Sequence, residues 1–343
     1  MAVIDNIVNV TVSVSEAAPE SQAFSRIWLL GTKGTGTQAA FKWYGDLDEI
    51  VAGGWANTTA VYKAAKAAFA NGADGLYITP YNAETGTALT ALLDNARNFG
   101  GWYGLVTVGV ATSAYAAITS WCDTNHKLFG FAVADNAQTL NPAGTTSEYT
   151  FGIVYPAATD NEYIHVAWMA RCFGFEPGTE TWAYKTLNGI VAGNYSTAQI
   201  ANFKTAGVNC YATVAGRDVT LSGYTVSDEW IDIMRYIDYL ASDIQARVYG
   251  VLAANTKIPY TAAGLVAIES AVRVSLANGQ SVGAIAEADY ADGEVVPGYT
   301  VTVPDIATIS AATRHTRILS GVKFTARLTG AIHVVQIVGT LSE

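Results

Sequence analysis

Charge is scarce in this sequence. Only 14% of its 343 residues are Asp, Glu, Lys or Arg, and half are hydrophobic; roughly a quarter of an ordinary soluble domain is charged. A lone monomer with so little charge keeps its surface wet poorly. The shortage points to surface covered by other chains, with a Thr- and Asn-rich surface as the alternative. Basic residues are scarcer still: 19 Lys and Arg stand against 29 Asp and Glu, for a net charge of −10. No Lys/Arg cluster occurs, and recognition of a phosphate backbone needs one, so direct nucleic-acid binding is excluded. Three cysteines, Cys122, Cys172 and Cys210, lie far apart. They form neither a CxxC pair nor a zinc spacing, and read as reduced, buried side chains of a chain made in a cytosol. The N-terminus shows no positive n-region and no long apolar core, so no signal peptide is expected. Residues 98–122 carry no charge, but their period changes midway. They read as a strand followed by a helix, with no membrane insertion.

Catalytic signatures are missing too. The four histidines are His126, His165, His315 and His333, and no HExxH, GxSxG or Cys–His pattern surrounds them. His165 and His333 lie in apolar runs and read as core or interface residues. Asp228, Glu229 and Asp232 could pair for acid–base work, but a helix N-terminus attracts acids by itself. The run Gly31-Thr32-Lys33-Gly34-Thr35-Gly36-Thr37 has the wrong spacing for a phosphate loop and reads as a surface loop. Asp46, Asp48 and Glu49 read as a solvated first helical turn. No catalytic residue, cofactor site or metal site is expected.

What is present is alternation of elements. Val8, Val10, Val12 and Val14 share one face of an N-terminal strand. Residues 16–21 then read as a linker. From 24 to 160 strands and helices alternate, which argues an α/β layer with helices packed on a sheet. Residues 174–226 are less regular, with a short helix, a strand and a hairpin. A long helix follows. Ser227 is its expected cap, and Trp230, Ile233, Met234, Ile237, Leu240, Ala241, Ile244 and Val248 recur at helical spacing. Thr261 is the expected cap of a second helix, ending at Asn278-Gly279. Residues 299–303 and most of the chain after Ile318 read as β. Residues 332–338 are apolar on both faces, as a covered strand would be.

The runs Glu229-Trp230-Ile231-Asp232 and Ala254-Asn255-Thr256-Lys257-Ile258-Pro259-Tyr260-Thr261, then residues 264–273, resemble the C-terminal half of a contractile phage tail sheath family. Gly330-Ala331-Ile332-His333 is similar to that family's final strand. Pro177-Gly178-Thr179-Glu180-Thr181-Trp182 and Trp102-Tyr103-Gly104-Leu105 are similar to its middle section. The resemblance implies an α/β (α+β overall) chain with an N-terminal arm and linker (1–22), an outward α/β domain (23–225) and an inner sheath domain (226–343) of two helices on a sheet. The final arm strand would span about 330–343.

It further implies a structural virion protein without enzymatic activity, made in a host bacterial cytoplasm. The sheath subunit would form stacked, hexameric rings around a tail tube protein, between baseplate and tail terminator proteins, and contract to drive the tube through the host envelope. Val8, Val10, Val12, Val14, Ile332, Val334, Val335 and Ile337 would join neighbouring subunits by strand addition. Trp230, Asp232, Arg235, Lys257, Pro259 and Arg273 would belong to a tube-proximal helical unit. Another phage shell or decoration protein, or an α/β hydrolase-type enzyme, are the alternatives.

Overall fold

The computed structural model describes residues 24–336 except 145, 160–162 and 292. Its first part is a mixed eight-stranded sheet with helices on both faces. The elements are β1 (Ile27–Thr32), β2 (Lys42–Tyr44), α1 (Leu47–Ala52), α2 (Ala60–Ala70), β3 (Leu76–Tyr81), α3 (Gly86–Phe99), β4 (Gly104–Val108), α4 (Tyr115–Asn125), β5 (Leu128–Ala134), β6 (Thr150–Tyr155), α5 (Ile164–Phe173), α6 (Thr197–Thr205), β7 (Val208–Val214) and β8 (Arg217–Thr220). The strand order is β2-β3-β1-β4-β5-β6-β7-β8, and only the two edge strands run antiparallel to their neighbours.

Burial on both faces explains why these strands read as continuous apolar runs. In β1, Ile27 and Leu29 pack with Val61, Ala64 and Ala68 of α2 and with α5. Trp28 and Leu30 point the other way, to Leu89 and Leu93 of α3 and Ile118 of α4. Caps are local and legible: the Asp46 carboxylate accepts from Glu49 N at 2.8 Å, and Ser196 closes a capping box with Gln199, each satisfying orphan helix donors.

The second part is built on α7 (Ile231–Ala254) and α8 (Ala262–Ser281). Around them lie the hairpin β9 (Asp289–Ala291)–β10 (Glu294–Val296), the pair β11 (Tyr299–Thr302)–β12 (Lys323–Ala326), and the short α9 (Ala311–Thr316). α7 has two different neighbours. Its C-terminal half packs Leu240, Ile244 and Val248 against Ile268, Val272 and Leu276 of α8. Its N-terminal half roots in the α/β layer: Ile231 joins that core, and two charged side chains enter with it.

Arg235 is fully buried. It donates to the carbonyls of Phe24 (3.2 Å), Cys172 (3.3 Å) and Phe175 (2.9 Å), pairs with Glu180, and lies over the Phe173 ring. Burial raises the Glu180 carboxyl, and Arg235 opposes that rise. Asp238 accepts from Tyr103 OH at 2.8 Å and Tyr149 OH at 3.1 Å, with His126 Nδ1 also at 3.1 Å. All three partners belong to the α/β layer.

The structure corrects several expectations. α7 starts at Ile231, not after a Ser227 cap. Ser227 Oγ instead donates to Ser147 O at 2.9 Å, and Asp228 turns the chain with φ 68°. α8 runs past Gly279 because that glycine serves packing. A Cβ there would lie 2.1 Å from the Tyr236 hydroxyl and 2.7 Å from Ile285. The left-handed turn comes at Gly283, φ 79°. Residues 331–336 are in no strand of this chain.

Candidate assembly interface

The chain leaves the folded body at His333. Upstream, Leu328 bridges Ile285, and Thr329 N donates to Ala284 O at 3.1 Å. His333 then docks. Its Nε2 lies 2.8 Å from Thr181 Oγ1, Tyr184 OH donates to its carbonyl, and the Trp230 ring meets the imidazole edge-on at 4.5 Å. Burial, then the nearby Lys185, lowers the His333 pKa, which favours the neutral ring.

On either side of this clamp the apolar residues face water. Ile332 is 83% exposed, Val334 76% and Val335 71%. The expected covered strand is therefore uncovered within this chain, since residues 331–336 find no strand partner among the described residues. Val8, Val10, Val12, Val14 and Ile337 lie outside the described residues. Nearby, β11 and β12 pair only with each other among the described residues. A sheet of two strands is marginal alone, and this one leans on α8 through buried Val301 and a bond from Arg273 to Val301 O at 3.2 Å.

The residues expected on a tube-proximal unit divide. Lys257 and Pro259 are exposed in the turn between α7 and α8. Arg273 is exposed and pairs with Glu269 at 2.7 Å. Trp230 is half-buried beneath His333. Arg235 lies on α7 but is fully buried, its charge committed to the subunit's own core. Asp232 lines a cleft of about 270 Å³ between residues 178–181, the start of α7 and residues 328–331. Burial pushes its carboxyl up to about 6, with Glu180 adding to the rise and the first backbone N–H groups of α7 opposing it.

Sequence reasoning missed the clamp. His333 read as one more residue of an apolar strand, and only the Pro177–Trp182 motif hinted at its receptor. The same reasoning missed the cluster of Tyr103, His126, Tyr149 and Asp238, whose members are spread over more than a hundred residues.

In doubly wound sheets ligands sit where the strand order reverses, outside the carboxyl ends of the strands. Here that point lies between β1 and β4. There Thr32 is closely approached: a Cβ on Gly109 would lie 2.6 Å from its methyl, and Trp55 Nε1 donates to its carbonyl at 3.4 Å. Among the described residues no group of His, Cys, Asp and Glu could hold a metal, and no helix is long and apolar enough to cross a membrane.

Residues 231–341 match the family described as E217 tail sheath protein gp31-like, C-terminal domain. No curated protein matches by sequence. Among solved structures, one described as the baseplate of the anti-feeding prophage superposes with a TM-score of 0.76, at 16% identity and 98% coverage of both chains. The contracted helical sheath of that particle gives 0.73 at 15% identity, over 97% of both chains. The sheath tail protein Lin1278 from Listeria innocua gives 0.56 at 10% identity, over 83% of this chain and 90% of that one. The resemblance read from the sequence therefore holds: residues 231–341 match a tail-sheath C-terminal domain model, and the chain has the mixed α/β fold of the solved sheath structures it superposes on.

Proposed function

We propose that this protein is the repeating subunit of a contractile tail sheath. It polymerises into stacked hexameric rings around a tail tube, bounded by baseplate and terminator proteins, and contracts to push the tube through a host envelope. The observation that carries this reading is the arm exit. A histidine clamp fixes where the C-terminal segment leaves, and Ile332, Val334 and Val335 are left exposed around it. Those side chains are buried when the segment adds to the sheet of a neighbouring subunit. The lone β11–β12 pair gives such a strand an open edge of the same design.

In this reading the α/β layer faces outward, and the turn carrying Lys257 and Pro259 faces the tube. The role is structural and needs neither nucleotide nor cofactor. The E217 gp31-like match and the likeness to sheath chains over nearly their whole length support it. Electron microscopy of the purified protein tests it. Regular cylinders are expected; closed shells would favour a capsid or decoration role, and discrete particles an enzyme.

A further inference from the structure

We propose that the cleft at the root of α7 is a receptor for a lysine or arginine side chain from the folded body of a second copy of this chain. The proposal rests on the sheath reading, because it needs a neighbour. One polar group in the cleft lacks a bond: Asp232 Oδ1 is buried without a hydrogen-bond partner. Buried polar atoms are nearly always bonded, so this orphan in an open cleft marks the place of a missing group.

Its chemistry follows from that of the orphan. A carboxylate oxygen can only accept, so the missing group is a donor. Charge makes it a cation. Glu180, the other acid of the cleft, is matched by Arg235 behind it, whereas Asp232 has no salt bridge among the described residues. Lys185 eases the Asp232 carboxyl only slightly, and Glu180 opposes its ionisation. Burial holds that carboxyl up at about 6, with Glu180 adding to the rise, and a cation entering the cleft would favour its ionised form.

The sequence narrows the source. Residues 1–23 and 331–343 contain no Lys or Arg, so neither terminal arm can supply the side chain. Residues 306–342 contain no Asp or Glu but hold Arg314, Arg317, Lys323 and Arg327. Arg314 and Arg327 spend their guanidinium groups on the chain's own carbonyls. Arg317 and Lys323 are exposed, and their side chains make no bond among the described residues. These two are the best-matched donors for a neighbour's Asp232.

Asp232→Asn keeps the shape and removes the charge. At pH 7 the purified variant should be at least as heat-stable as the wild type, yet need about tenfold more protein to form cylinders. Arg317→Glu or Lys323→Glu should reproduce that loss. Cylinders from Asp232→Asn at the wild-type protein concentration would overturn the proposal. If the variant fails to fold, carbon-13 NMR of the wild-type Asp232 carboxyl decides. Titration near pH 6 in the free subunit should vanish from that range in cylinders, and its persistence there would overturn the proposal. A wild type that forms no cylinders at all removes the sheath reading and the required neighbour together, an outcome distinct from both.

Discussion

The α/β layer and the C-terminal third solve burial in opposite ways. The layer closes on itself. Helices cover both faces, and its two edges end in short antiparallel strands of three and four residues, β2 and β8. Short edges are how sheets avoid pairing with other chains. The C-terminal third stays open. Among the described residues it holds two separate two-stranded sheets, and Tyr290, Val295, Ile318, Ile332, Val334 and Val335 are each more than half exposed. One chain thus contains a finished domain and an unfinished one. In the sheath reading, neighbours cover the apolar residues that the unfinished part exposes.

The two parts are nonetheless welded at the root of α7, and breaking that weld should have the largest effect. Arg235→Met strands the Glu180 carboxylate in a buried site. Removing one partner of a buried pair costs about 3–5 kcal/mol, so urea denaturation should show a large loss of stability. The double variant with Glu180→Gln should recover much of it. A small loss would mean that the two regions are joined mainly by apolar contact.

Asp238→Ala comes next. It leaves the Tyr103 and Tyr149 hydroxyls and His126 without their shared acceptor. Orphaned buried donors cost about 1–3 kcal/mol each, less what they regain by rebonding. The expected loss is about 2–3 kcal/mol, and calorimetry should still show one transition. Separation into two transitions would show that Asp238 alone couples the regions.

Asp232 sets a pH dependence of opposite sign. Its folded pKa of about 6 lies above the ordinary aspartate value of 3.8. The folded state therefore binds the proton more tightly, and stability from this group is lost as pH rises between those values. Two units correspond to about 2–3 kcal/mol. Asp232→Asn should flatten the stability profile of the free subunit between pH 4 and 6. An unchanged profile would place the titration elsewhere.

The smallest effect on stability should come from ending the chain after His333. The clamp stays, and the described side chains that are lost, residues 334–336, are exposed, so the melting temperature should hold within about a degree while cylinders disappear. A large drop in melting temperature would mean that the removed residues belong to the subunit's own core.

These contrasts also mark what the sequence could tell. The α/β alternation was legible because each strand and helix buries a periodic face, as at Ile27–Thr32 and Ala60–Ala70. Thr261 was legible as a cap, since its hydroxyl takes the Gly264 N–H at 3.2 Å. The start of α7 was not, because Ser227 found Ser147, a partner 80 residues away. Arg235 looked like a surface charge between apolar positions. Only tertiary structure shows that five backbone and side-chain acceptors converge on it. β9, β10 and α9 carry short patterns that local periodicity does not separate from loop. His333 was hidden because an arm's anchor and its apolar neighbours share one hydrophobic run.

Hydrogen exchange measured on free subunits and on assembled cylinders tests most directly whether neighbours complete the C-terminal third. Amides of β11, β12 and residues 331–336 should exchange rapidly in the free subunit and become strongly protected in cylinders, while β1 and β4–β6 are protected in both. Equal protection of β11, β12 and 331–336 in the two states would contradict the account.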